Sequence, residues 1–115
     1  ISTTTPNPIN NRFIGDIYLL TSTKTYSSAM NFAQTFKHYK IGKIIGEETG
    51  GWVVSYGDYI PTELPNTKLK LNISTKKFYT IGTTNKDLHG VIPDEKVPAK
   101  DALTNVLNKI KNKKS

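Results

Sequence analysis

Two short apolar blocks bracket an amphipathic one, and this arrangement restricts the fold more than any other feature of the chain. Residues 17–20 in "GDIYLLTST" form a near-continuous apolar run, as in a strand buried on both faces. Ala29, Phe32, Ala33 and Phe36 follow at i, i+3, i+4 and i+7, which is the stripe of a helix. Lys43 to Gly46 in "YKIGKIIGEETGG" supplies a second short buried strand, ending in a glycine pair able to take positive φ. Strand, helix and strand in succession predict a βαβ unit and a parallel sheet, because parallel strands need a crossover connection.

The second half has a different texture. "KLKLNIS" alternates Leu69, Leu71 and Ile73 with Lys68, Lys70 and Asn72, and "KKFYTIG" can pair with it across residues 74–76, so a hairpin is expected there. Leu103, Val106, Leu107 and Ile110 repeat the helical spacing and predict a C-terminal amphipathic helix. The opening segment is polar and carries Pro6 and Pro8, so residues 1–12 read as a linker or loop. The expected class is α/β, with short parallel strands, covering helices, a hairpin and a C-terminal helix.

Composition excludes several functions. With 115 residues and 36% hydrophobic content, there is material for one modest core. The net charge of +7 comes from dispersed lysines and a lysine-rich tail, with Arg12 the one arginine, which suits a solvated surface better than a nucleic-acid interface. There is no cysteine, and only His38 and His89 offer imidazole, so neither a metal site nor a cofactor is expected. No apolar stretch approaches the roughly 20 residues of a membrane span, and no signal pattern opens the chain. A first residue of Ile1 suggests a processed product or a fragment.

"TKTYSSAMNF" sets Ser27 and Ser28 at the junction of the first strand and the helix. Serine there is a preferred helix cap. The same position projects a side chain from the carboxyl edge of a sheet, beside free N–H groups and a helix dipole that favour an oxyanion, so a nucleophile is the alternative, although local geometry alone favours the cap. His38 lies eleven residues beyond Ser27, or about 16 Å along a helix, too far for a local base. His89 and Asp87 in "DLHGVIPD" are either part of such a site or a polar loop. "GEETGG" lacks the lysine of a phosphate-binding loop and reads as a tight turn that brings backbone close to a neighbour. Trp52 and Tyr56 line a peptide groove or simply pack.

Four blocks, "GDIYLLTSTKTYSSAMNFAQTFK", "KIIGEETGG", "ELPNTKLKLNIS" and "HGVIPDEKV", resemble in order and spacing the C-terminal half of the catalytic domain of S41 serine peptidases. That group includes the carboxyl-terminal processing proteases and the tricorn-like proteases. The resemblance implies that residues 13–115 are the C-terminal part of such a domain, with part of a ClpP/crotonase-like fold. It implies Ser27 as the nucleophile and the backbone N–H of Ser28 as one half of the oxyanion hole, the other half coming from an upstream glycine. Gly50, Gly51 and Trp52 would shape the substrate cleft.

The processing proteases place a lysine base just after the "GExTxG" turn, where this chain has Gly51 and Trp52. The tricorn-like branch uses an upstream histidine, with an acid just before "GVxPD"; Asp87 stands at that acid in place of the usual glutamate. No histidine precedes Ser27, so the base is expected from a segment upstream of this chain, the remaining N-terminal part of the peptidase being a partner. The substrate would be a peptide or protein, and the location the cell envelope or the outside of the cell. The alternative is a non-catalytic S41-like module that binds a peptide or other ligand.

Overall fold

Residues 4–6 and 8–113 are described by a computed structural model; residues 1–3 and 7 of the opening segment and the last two of the basic tail lie outside them. The chain runs β1 (Tyr18–Thr21), α1 (Ser27–His38), β2 (Lys43–Gly46), β3 (Val54–Glu63), β4 (Lys70–Tyr79), β5 (Glu95–Lys96) and α2 (Ala99–Lys113), after one 3-10 turn at Ile9–Asn11.

The expected βαβ unit is present. β1 and β2 pair in parallel, Leu19 opposite Ile44 and Leu20 opposite Ile45, and β5 adds in parallel on the far side of β2. β2 is therefore the central strand, which is why Ile44 and Ile45 are fully buried. Successive strand residues project to opposite faces. Ile44 joins Met30, Ala33, Phe36, Val53 and Val91 in the core under α1, while α2 lies against β1 and β2 through Ala102 and Val106.

The apolar patterns needed correcting in four places. β1 is an edge strand and not buried on both faces: Ile17 and Leu20 are each 39% exposed. In α1 the buried stripe is Met30, Ala33 and Phe36, whereas Ala29 and Phe32 face outward, because the helix is rotated to close over Ile44. In α2, Leu103 and Leu107 are exposed and only Val106 of the expected stripe is fully buried.

The fourth correction concerns the hairpin. Residues 70–79 form one unbroken strand, β4, whose partner is β3, with Tyr59 opposite Ser74 and Gly57 opposite Lys76. Residues 74–76 contain no glycine, proline, asparagine or aspartate to turn the chain. The reversal lies instead at residues 64–69, where Leu64 N–H donates to Leu69 O and Lys68 takes φ +59°. This long hairpin rises from the α/β body as an arm, with Tyr59, Ile60, Leu69 and Ile73 more than half exposed.

Candidate active site

The serine pair lies where the sequence puts it, on the turn from β1 into α1. Thr25 folds the connection by donating its N–H to Ser22 O while its hydroxyl accepts from Ser22 N–H. Tyr26 is the N-cap residue, in extended conformation and without a side-chain cap bond. Ser27 opens the helix at φ +51°, in the left-handed region that non-glycine residues enter only at a cost.

Neither serine hydroxyl makes a hydrogen bond among the described residues, so neither serves as a cap. Both side chains are exposed. The first helical bond falls to Ala29 N–H, which donates to Tyr26 O; the N–H groups of Ser27 and Ser28 find no acceptor among the described residues. With no acidic residue in the first turn, the positive end of the α1 dipole is left uncompensated at this point.

Ser27 separates two clefts. One, about 460 Å³, runs between α1 and the root of the hairpin and is walled by Met30, Asn31, Tyr56, Phe78 and Tyr79 among others. The other, about 430 Å³, is bounded by Tyr26, Gly50, Gly51, Trp52 and Tyr56. The structure thus brings Ser27 together with Gly50, Gly51 and Trp52. Ser55 and Tyr56 line both clefts; Ser55 went unnoticed in the sequence because nothing distinguishes it from any polar strand residue.

The "GEETGG" turn does bring backbone close to a neighbour, and the neighbour is the serine turn. Gly51 N–H donates to Thr25 O at 3.0 Å. A Cβ on Gly50 would stand 2.1 Å from Thr23 O and 2.5 Å from the Tyr26 hydroxyl. Neither glycine uses its freedom to take positive φ; that conformation falls to Gly46 and Gly82. The pair is there for proximity.

Glutamates hold this turn in place from behind. Glu47 accepts from Thr23 N–H with one oxygen and from Ala99 N–H with the other, and those bonds hold its carboxyl below the ordinary value. Glu48 accepts from Gly90 N–H at 2.8 Å, and Val91 N–H donates to Thr49 Oγ1. The "HGV" strip is thereby fastened along residues 48–53, with Val53 N–H bonded to His89 O.

Asp87 lies in the loop that leads into this strip, and its side chain lines neither cleft. Its Oδ2 accepts from the N–H and hydroxyl of Thr84, which lower its pKa, and its Oδ1 is 3.7 Å from His89 Nε2, a smaller contribution in the same direction. His38, at the far end of α1, stacks edge-on against Tyr39. No histidine, lysine, aspartate or glutamate lines either cleft around Ser27 among the described residues. Where the resemblance to the processing proteases would put a lysine base, the chain has Gly51 and Trp52, neither of which offers a group that accepts a proton.

Fold and site together define an α/β protein with a strained, exposed serine on the strand-to-helix turn of a parallel unit, opening onto two clefts. The model of peptidase family S41 matches residues 2–97, from the opening segment through β5. The chain belongs to peptidase family S41. That membership supports peptide-bond hydrolysis as its class of activity. No helix among the described residues is long and apolar enough to cross a membrane.

Proposed function

We propose that this chain is the nucleophile-bearing part of a serine endopeptidase of tricorn-like type, with Ser27 attacking the peptide carbonyl. The observation that carries the reading is Ser27 itself, held at φ +51° with an unbonded, exposed hydroxyl between two clefts. Backbone strain of this kind persists only where surrounding structure enforces it, and it gathers at functional sites. The unpaired N–H of Ser28 points to an oxyanion donor at the positive end of α1, a group worth about 3 kcal/mol in enzymes of this kind.

The base comes from the remaining N-terminal part of the peptidase, since the clefts carry no group able to take the Ser27 proton at neutral pH. The unpaired outer edge of β1, with Ile17 and Leu20 part-exposed, supports a place for that part in a completed ClpP/crotonase-like sheet. Asp87, kept ionised by Thr84, supports the site from outside the clefts. Gly50, Gly51 and Trp52 form one wall for the peptide. By the family resemblance the protein works in the cell envelope or outside the cell.

A second reading, a peptide-binding module without catalysis, is favoured by one observation: neither cleft beside Ser27 is lined by a histidine, lysine, aspartate or glutamate among the described residues, and Asp87 lies outside both. Hydrolysis of a fluorogenic casein by the chain joined to its upstream sequence separates the two. The peptidase reading expects a loss of about 10³-fold or more on Ser27→Ala with peptide binding retained. Peptide binding without any hydrolysis by the unaltered protein selects the module.

A further inference from the structure

Asn31 follows Ser27 by four residues, one turn along α1, so the two side chains share a face of the helix, and both line the cleft between α1 and the root of the hairpin. The Cα–Cβ bonds of a helix tilt toward its N-terminus, which leans the Asn31 carboxamide back toward the serine. Asparagine is a poor residue for a helix interior, because its amide competes for backbone hydrogen bonds. Here that amide has no hydrogen-bond partner among the described residues; the bond at this position runs from the Thr35 hydroxyl to the backbone O of Asn31. The fold makes no use of the side chain.

The other polar groups of the cleft divide into those already bonded and those left free. Thr35 donates to Asn31 O, Thr80 Oγ1 donates to Val53 O, and the Tyr79 hydroxyl donates to Asn85 Oδ1. Ser55 stands opposite Phe78 in the β3–β4 register and is half-buried. Asn31, Ser55 and Tyr56 each keep an unbonded amide or hydroxyl among the described residues. Met30 and Phe78 add apolar wall, and no charged side chain lines this cleft. A charged guest would give up water there without gaining a counter-charge, whereas a neutral polar guest exchanges water for amide and hydroxyl.

We propose that this cleft takes a peptide residue bearing a carboxamide, glutamine or asparagine, beside the bond presented to Ser27, and that Asn31 is the side chain that recognises it. A carboxamide carries N–H donors and a carbonyl acceptor in one plane, so two of them can exchange N–H···O bonds reciprocally. A carboxylate cannot donate, an ammonium cannot accept, and an aliphatic side chain does neither. The methylene stem of the guest would lie against Met30 and Phe78. The proposal rests on the reading of these clefts as the peptide site.

The test uses the chain joined to its upstream sequence and carrying Ser27→Ala, so that bound peptides stay intact. Fluorescence anisotropy follows peptides of the form fluorescein-Ala-Ala-X-Ala-Ala-amide, with X as Gln, Asn, Glu, Leu or Lys. At least one carboxamide peptide is expected to bind roughly fivefold more tightly than the Glu, Leu and Lys peptides, as a pair of neutral hydrogen bonds of modest net worth allows, and the tighter of the two fixes the stem length. Asn31→Ala puts a better helix former at an exposed site, and should abolish this preference without loosening the Leu peptide. Asn31→Asp should tighten the Lys peptide by a roughly similar factor through a new charge pair, a gain that added salt shrinks. Equal binding of the five peptides, a carboxamide preference that survives Asn31→Ala, or no gain for the Lys peptide in Asn31→Asp overturns the role of Asn31 alone. Absence of binding by every peptide overturns this inference and the peptide-cleft reading together.

Discussion

A left-handed serine is costly to keep. An L-residue there is about 1–2 kcal/mol worse than in an ordinary helix, a penalty glycine escapes. Ser27→Gly should therefore be more stable than Ser27→Ala by about 1 kcal/mol, or roughly 4–8 °C in Tm for a chain of this size, although both remove the hydroxyl. Equal melting temperatures would mean that the turn carries no strain. Gly50→Ala is expected to destabilise by about 1–3 kcal/mol, because its Cβ would meet backbone at Thr23 that cannot swing aside. Chemical denaturation measures it. At this scale the sequence was only half legible. The "SS" pair satisfied capping and nucleophile patterns alike, and φ cannot be read from residue types. The family resemblance separates Ser27 from Ser28 as the proposed nucleophile; in the structure both hydroxyls are unbonded, and what differs is the backbone, with Ser27 alone of the two at positive φ. Proximity and positive φ are two uses of glycine that look identical in "GEETGG"; the reading as a turn that brings backbone close to a neighbour holds, and positive φ goes unused at Gly50 and Gly51.

Elements divide into those held by the core and those that stand clear of it. Ile44 lies at 0% exposure in the central strand, and Ile44→Ala should cost about 2–5 kcal/mol, whereas Ile60→Lys on the arm, at 60% exposure, should cost under about 1 kcal/mol. A large loss from the second change would place the arm against the body. Glu47 links the end of β2 to the serine turn and to the start of α2, and its pKa is lowered chiefly by the backbone N–H of Ala99. Its contribution is present above the ordinary value of 4.5 and is lost as pH falls through the depressed folded pKa. Glu47→Gln should accordingly flatten the acid limb of the stability curve measured by urea melts from pH 6 to pH 3. Strand and helix periods located β1, α1, β2 and α2 well, because each has apolar residues at one clear spacing. They misjudged which face is buried: Met30 instead of Phe32 meets Ile44. They also folded β4 back on itself, since alternation marks a strand without naming its partner.

The whole molecule is an α/β body with a projecting arm. Its radius of gyration is 18.9 Å, against about 13 Å for a rounded domain of 115 residues, and small-angle scattering of the monomer should return a value close to the former. A value near the latter would mean that the arm folds back. The half-exposed β1 edge, the outer stripe of α2 and the apolar arm are the surfaces that the proposed N-terminal part of the peptidase would cover. No sequence pattern within the 115 residues predicts how far those surfaces are covered. The central claim concerns a single atom, Ser27 Oγ, and activity-based labelling reaches it most directly. A fluorophosphonate applied to the chain joined to its upstream sequence, followed by peptide mass mapping, should place the adduct on Ser27, and Ser27→Ala should abolish it. An adduct on another residue, undiminished labelling of Ser27→Ala, or no adduct on the unaltered protein would contradict the account.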